Sequence, residues 1–208
     1  MSFDSALSDS GTLDLALEAV VAIAAAVTAL AAWLALGVWK RELRGRADFE
    51  LARRLLHRLY ELRDKIQFLR VSAVFPHEWS SRSGRPEGQP LATADDLSYV
   101  YRSRWEEIQN ALASLEVDLR EAEALWADLL AESQEQLGSC VTELRVHLRW
   151  YLRGLDNPSH QQRDPERWRK VEEIIGDGDE GAENDDFATR VRGAVRSFEE
   201  QLRPKLRR

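Results

Sequence analysis

The chain has 208 residues, with 36 acidic and 29 basic side chains and a net charge of −7. Its one cysteine, Cys140, excludes an intramolecular disulfide. Residues 71–186 carry 25 acids against 12 bases, and we expect no nucleic-acid partner because phosphates require a basic surface.

An apolar run extends from Ala19 to Trp39 and contains no charged residue. As a helix rising roughly 1.5 Å per residue it is about 31 Å long, which matches the hydrocarbon core of a bilayer. Such a helix satisfies its backbone hydrogen bonds internally, as lipid requires. The run therefore predicts a single transmembrane helix over residues 19–39.

A cleaved signal peptide is the main alternative to an anchor. The preceding segment, residues 1–18, has four acids and no base, whereas a signal peptide begins with basic residues. The run is also longer than a usual signal core, and basic residues follow it as in a stop-transfer anchor. A buried core helix is disfavoured because the run has no polar face.

The charges beside the run predict its orientation. Residues 40–70 carry ten bases and five acids, and basic flanks stay in the cytoplasm. We expect residues 1–18 outside and residues 40–208 in the cytoplasm, with the anchor in the bacterial inner membrane. The basic residues that flank the membrane are Lys40, Arg41, Arg44 and Arg46.

Alanines recur at four-residue spacing within the run, and small residues at that spacing let two transmembrane helices approach closely. The alternative is that the alanines reflect composition alone. On the first interpretation we expect a homo-oligomer or a membrane-protein partner, in addition to the lipid bilayer. The predicted association residues are Ala22, Ala25, Ala26 and Ala29.

Behind the run, apolar residues recur every three or four positions, which is typical of helices. The first such stripe consists of Ala52, Leu55, Leu59, Leu62, Ile66 and Leu69. The predicted fold is all-α, with a single N-terminal transmembrane helix followed by a cytoplasmic helical bundle that contains a long antiparallel helical hairpin. The predicted segments are a basic juxtamembrane helix over 40–72, a Pro/Gly/Ser loop over 73–93, the hairpin with a short helix over 94–175, an acidic loop over 176–186, and a basic amphipathic helix over 187–208.

Local signals place several helix ends. Thr93 with Asp96 predicts a capping box, and Asp164 followed by Pro165 predicts a second helix start. A break is expected over 132–138, and the proline at position 204 is expected to end the last helix. The apolar face of that helix predicts docking either on the bundle or on anionic lipid, and the acidic body favours the bundle.

Catalytic and metal-binding signatures are absent from the sequence. It contains no nucleophile elbow, phosphate loop or dinucleotide motif, and its four histidines share no metal-ligand spacing. The acidic loop has Gly181 and Ala182 where a calcium loop needs a ligand and then a glycine. We expect no catalytic residue, metal or cofactor. A functional loop cluster at His77, Glu78 and Trp79 is one interpretation, and packing of that loop on the bundle is the other.

These features predict a membrane-anchored cytoplasmic helical interaction or scaffold protein, a subunit of a bacterial membrane complex. The layout resembles that of small bacterial single-span membrane proteins with a cytoplasmic helical domain. Two other hypotheses stay open. One is an oligomerising effector that perturbs the membrane in stress or phage defence, against which the charge-free run argues. The other is an enzyme with an unrecognised site.

Overall fold

A computed structural model describes residues 4–80, 93–157, 159–176 and 185–206. All of the regular elements in these residues are helices, which confirms the all-α prediction. In chain order they are α1 (Asp4–Arg70), α2 (Pro76–Ser80), α3 (Ala94–Trp126), α4 (Ala131–Asp156), α5 (Ser159–Arg163), α6 (Pro165–Ile175) and α7 (Asp186–Leu206), with a 3₁₀ turn, Ala127–Leu130, between α3 and α4.

The chain divides into two compact units, Met1–Asp48 and Phe49–Arg208. In the first unit, every side chain from residue 21 to residue 36 is exposed. This part of α1 belongs to a helix that is long and apolar enough to cross a membrane.

The second unit has its own apolar core, to which α1 contributes a stripe of fully buried side chains. Their spacings alternate between three and four residues, so they lie on one face of the helix. The stripe is the predicted one, and each member is at most 1% exposed: Ala52, Leu55, Leu59, Leu62, Ile66 and Leu69.

Ion pairs between α1 and α3 show that the two helices run antiparallel. Lys65 lies 2.5 Å from Glu107, and Arg54 lies 2.5 Å from Glu121. The later residues of α3 thus lie beside the earlier residues of α1. The turn between α3 and α4 therefore lies at the same end of the second unit as Phe49, its first residue.

The last helix docks through its apolar face, as favoured above. Phe198 is 1% exposed and Leu202 is fully buried, and α7 packs against α4. Polar contacts accompany this packing, since the Tyr60 hydroxyl donates to Glu199 at 2.8 Å. The Ser133 and Ser197 hydroxyls also lie 2.7 Å apart.

Both predicted helix starts are confirmed. The Thr93 hydroxyl accepts a hydrogen bond from the Asp96 N–H, while the Asp96 carboxylate accepts one from the Thr93 N–H at 2.9 Å. The Asp164 carboxylate accepts from the Arg167 N–H at 3.1 Å, and Pro165 is the first residue of α6.

Two predicted boundaries were wrong, and one predicted loop contains a short helix. The break lies at Ala127–Leu130 rather than over 132–138, because Glu and Gln are good helix formers and one glycine costs only about 1 kcal/mol. α7 continues past Pro204 to Leu206, since a proline removes one i→i−4 hydrogen bond and can kink a helix without ending it. The predicted 73–93 loop contains the short helix α2.

Other predicted features fall outside the described residues. These include most of the Pro/Gly/Ser loop, at residues 81–92, and most of the acidic loop, at residues 177–184.

Candidate functional site

The apolar segment of α1 exposes side chains on every face of the helix over residues 21–36, and all of them except Thr28 are apolar or small. Val21 is 62% exposed, Leu30 57% and Trp33 70%. The Thr28 hydroxyl donates to the Ala24 carbonyl at 2.8 Å, so this polar group is satisfied inside the helix. Such a surface suits lipid, which offers no hydrogen-bond partner.

The predicted association residues lie together on this segment. Ala22, Ala25, Ala26 and Ala29 are all exposed, and spacings of three and four residues place them on one face of the helix. Because small side chains leave the backbone accessible, this face allows close approach of a second helix.

The predicted basic flank lies directly behind the segment. Lys40 and Arg44 are exposed, and the exposed Arg46 forms an ion pair with Glu42 at 2.6 Å. The side chain of Arg41 lies outside the described residues. An ion pair this exposed contributes little stability. The described basic side chains of the flank lie at the surface.

Arg104 of α3 is a buried organising residue that the sequence analysis missed. It is 3% exposed, and its guanidinium forms a two-pronged ion pair with Glu78 of α2, with both distances 2.8 Å. It also donates to the carbonyls of Val71 at 2.7 Å and Ala73 at 2.8 Å. Arg104 thus fixes the chain that leaves the end of α1.

The ion pair with Arg104 sets the charge state of Glu78. Burial raises the pKa of Glu78, but hydrogen bonds from Arg104 and the Phe75 N–H, together with the Arg104 charge, lower that pKa by more. The net pKa of Glu78 lies below its ordinary value, so the carboxylate stays ionised at neutral pH.

Arg70, the last residue of α1, has a parallel role toward α6 and α7. It is 4% exposed and donates to the carbonyls of Ile174 at 2.8 Å and Gly176 at 2.9 Å, which end α6. It also pairs with Asp185 at 2.6 Å. Asp185 in turn accepts from the Ala188 N–H at the start of α7.

Asp185 resembles Glu78 in its electrostatics. Burial raises the pKa of Asp185, whereas hydrogen bonds from Arg70 and the Ala188 N–H lower it, and the net pKa lies below the ordinary value. Through its bonds to the α6 carbonyls and to Asp185, Arg70 joins the end of α6 to the start of α7.

The hydrogen bonds of Arg104 and Arg70 favour a structural role for these two arginines over a catalytic or ligand-binding role. An arginine has five N–H donors, and the guanidinium groups of Arg104 and Arg70 direct theirs at carboxylates and carbonyls of the same chain. A sequence signal for Arg104 does exist, because it occupies the buried stripe of α3 between Tyr101 and Ile108.

The loop cluster at His77, Glu78 and Trp79 is used for packing. Glu78 is the partner of Arg104, and Trp79 is 8% exposed. The His77 ring stacks on Phe75 with centroids 5.8 Å apart. Loop packing on the helices accounts for these contacts.

Surface grooves lie between the helices of the second unit. One, of about 400 Å³, lies between α3 and α4 and includes Leu112, Leu119 and Val141. Another, of about 510 Å³, lies between α4 and α7 and includes Cys140. Burial raises the pKa of the Cys140 thiol, which makes it a poor nucleophile.

Within the described ranges, no group of three or more His, Cys, Asp or Glu side chains is arranged to hold a metal ion. Comparisons with protein-family models, curated proteins and solved structures find no match to this chain. The features of the chain that bear on its function are therefore the exposed apolar segment and the packing of the second unit.

Proposed function

We propose that this chain is a single-pass membrane protein whose anchor is residues 19–39 and whose helical bundle is cytoplasmic. The bundle serves as an interaction or scaffold module within a bacterial membrane complex. The observation that carries this proposal is the exposure of α1 over residues 21–36, in contrast to the apolar stripe that the second unit buries.

The magnitude of this exposure is large. Burying one large apolar side chain stabilises a protein by roughly 1.5–3 kcal/mol. Summed over the segment, leaving these side chains in water costs on the order of 10–20 kcal/mol, which is comparable to the whole stability of a domain. The segment therefore requires an apolar environment that removes it from water. Its exposed large apolar side chains are Val21, Ile23, Val27, Leu30, Trp33, Leu34, Leu36 and Trp39.

Lipid fits this surface better than a protein partner alone. A single partner helix covers one face, whereas the exposed side chains surround this helix. The segment carries no charge between Ala19 and Trp39, and the tryptophans at its basic end suit the interface between lipid and water. A homo-oligomer through the alanine face leaves the remaining faces for lipid.

Extraction of membranes at alkaline pH tests the anchor. We expect the full chain to stay in the membrane pellet, and Leu30→Ala to behave in the same way. Replacing Val27 and Leu30 together by Asp should release the protein, because each central acid costs roughly 2.5–3.5 kcal/mol in a membrane helix. Release of the unchanged protein would contradict the anchor.

Reporter fusions test the orientation separately. A reporter active only in the cytoplasm should be active when fused after Arg208, because the bases at 40–46 favour the cytoplasmic side. Replacing Lys40, Arg41, Arg44 and Arg46 by Gln should weaken that preference. Activity of a periplasm-only reporter at the same site in the unchanged protein would reverse the topology.

A further inference from the structure

Two leucines at the junction of α3 and α4 lie outside the core of the second unit. Leu125 is 56% exposed and Leu129 39% exposed, whereas Leu130 beside them is 3% exposed. The junction thus presents apolar side chains at one end of the unit, where two helices reverse direction.

The end of α7 brings basic groups to the same junction. The Lys205 ammonium lies 5.0 Å from the centroid of the Trp126 ring, and Arg203 is exposed. The sequence continues with two further arginines at positions 207 and 208, which lie outside the described residues. Leucines next to a tryptophan and several bases are typical of segments that lie at a membrane interface.

Acidic groups at this end limit what charge can contribute. Glu121 is paired with Arg54 at 2.5 Å, and Glu132 accepts a hydrogen bond from Gln136, while Glu123 and Asp128 are exposed. The bases at the end of α7 offset these acids. The apolar leucines, rather than net charge, therefore provide the main attraction to lipid.

The covalent connection limits how far this end can lie from the proposed anchor. Arg54 is five residues after Phe49 and pairs with Glu121, which is five residues before Trp126, so Trp126 is level with the start of the second unit. Residues 40–48 join that start to the apolar segment, and even fully extended they reach only about 35 Å. A tether this short gives the junction a high effective concentration of lipid.

We propose that the junction end of the second unit, formed by Leu125–Leu130 and Arg203–Leu206, lies against the surface of the bilayer. The two exposed leucines enter the headgroup level, and the bases of α7 face the lipid phosphates. This inference rests on the proposed anchor and adds a second membrane contact, which restricts how the bundle presents its remaining surface to partners.

Site-directed fluorescence in the full chain tests this contact. Cys140→Ala removes the native thiol, and Leu129→Cys then carries an environment-sensitive dye in vesicles of phosphatidylcholine and phosphatidylglycerol. Glu166→Cys, exposed at the start of α6, is the matched control at the opposite end of the unit. Leu30→Cys reports on the anchor itself, and circular dichroism checks that each variant is helical.

Lipids with a spin label near the headgroup should quench the dye at position 129 at least twofold more than the dye at position 166. Equal quenching at the two positions would overturn the proposal. The proposal would also be overturned if the dye at position 129 were shielded from aqueous iodide but not quenched by the labelled lipid, because a protein surface would then cover it. Leu125→Cys repeats the measurement if Leu129→Cys does not fold.

The Leu30 position separates the two proposals. Quenching at 30 by lipids labelled deep in the acyl chain, without quenching at 129, rejects the second contact and leaves the anchor intact. Absence of quenching at both positions rejects the anchor, and the second contact with it.

Discussion

The two halves of α1 are both rich in apolar residues, yet they differ completely in exposure. In the first half, Leu30 and Leu34 are 57% and 54% exposed. In the second half, Leu59 and Leu62 are 1% and 0% exposed. Apolar content therefore does not decide which half is covered by protein.

The arrangement of the apolar residues makes the difference. In the second half they form one stripe, and the remaining faces carry charges such as Arg54 and Lys65, which pair with α3. In the first half they surround the helix. A stripe requires protein on one side and water on the other, whereas an all-round apolar surface requires a uniform apolar solvent.

The largest expected effect concerns the ion pair that fixes the end of the second half. Arg104→Ala leaves Glu78 without its buried partner, and breaking such a pair costs about 3–5 kcal/mol. Arg102→Ala, at an exposed position on the same helix, should change the free energy of unfolding by less than about 0.5 kcal/mol. Chemical unfolding in detergent measures both, and equal effects would contradict the role of Arg104.

Matched leucine substitutions test the two halves directly. Leu62→Ala should lower the free energy of unfolding of the second unit by about 2–5 kcal/mol, because it leaves a cavity in a packed core. Leu34→Ala should leave that free energy unchanged and keep the protein in the membrane. If Leu34→Ala destabilises the second unit as much as Leu62→Ala, the two halves are not distinct.

Glycines give a finer test of packing. A methyl group at Gly154 would overlap the Trp168 ring, and Gly154→Ala should cost about 1–3 kcal/mol as the ring is displaced. At Gly193 the same methyl meets nothing within 4 Å, so Gly193→Ala should stabilise α7 by roughly 0.5–1 kcal/mol. Melting temperatures in detergent distinguish the two, and a stabilising Gly154→Ala would show that α6 does not pack there.

Acid should weaken the second unit but not the membrane retention that is proposed for residues 19–39. The pKa values of Glu78 and Asp185 are lower in the folded protein than the ordinary values of 4.5 and 3.8. Their contribution is therefore full above the ordinary values and is lost as the pH falls through the lower folded values. Unfolding measured across a pH series should show this loss, and Glu78→Gln should reduce it.

Glu106→Gln, at an exposed position of α3, is the control for that series and should leave the acid dependence unchanged. Residues 19–39 contain no charged side chain, and membrane retention should therefore be constant over the same range. Release of the protein from membranes in step with acid unfolding would show that the two halves depend on each other.

The smallest effect is expected within the first half. Replacing Ala25 and Ala29 by Ile should weaken self-association, because added bulk prevents close approach of two helices. Replacing Ala24 and Ala31, which lie away from that face, should have less effect. Cross-linking at native expression measures the oligomer fraction of both double variants. Detection of monomer alone in the unchanged protein would reject association through this face.

Local sequence signals predicted much of the fold. The three-and-four spacing in α1 identified its buried stripe from Ala52 to Leu69, because helix geometry alone places those residues on one face. The caps at Thr93 and Asp164 depend on side chains within three residues of the backbone they bind. Such features need no knowledge of distant parts of the chain.

The features that sequence analysis missed depend on distant partners. Arg104 binds carbonyls about thirty residues earlier in the chain, and Arg70 binds the end of α6 more than a hundred residues later. Nothing in their immediate neighbours specifies these acceptors. For Arg104, the sequence signal was a charged residue within an apolar stripe. Such a residue indicates a buried charge but does not specify which group pairs with it.

The contacts between the first and last helices have a consequence for biosynthesis. Tyr60 meets Glu199 across 139 positions of the chain, and Arg70 meets Asp185 across 115. A ribosome adding roughly 5–20 residues per second needs on the order of ten to thirty seconds between the end of the apolar run and the end of α7. If residues 19–39 insert as the proposed anchor during translation, the helices that follow emerge at the membrane one by one, and the core closes only when the last of them has been made.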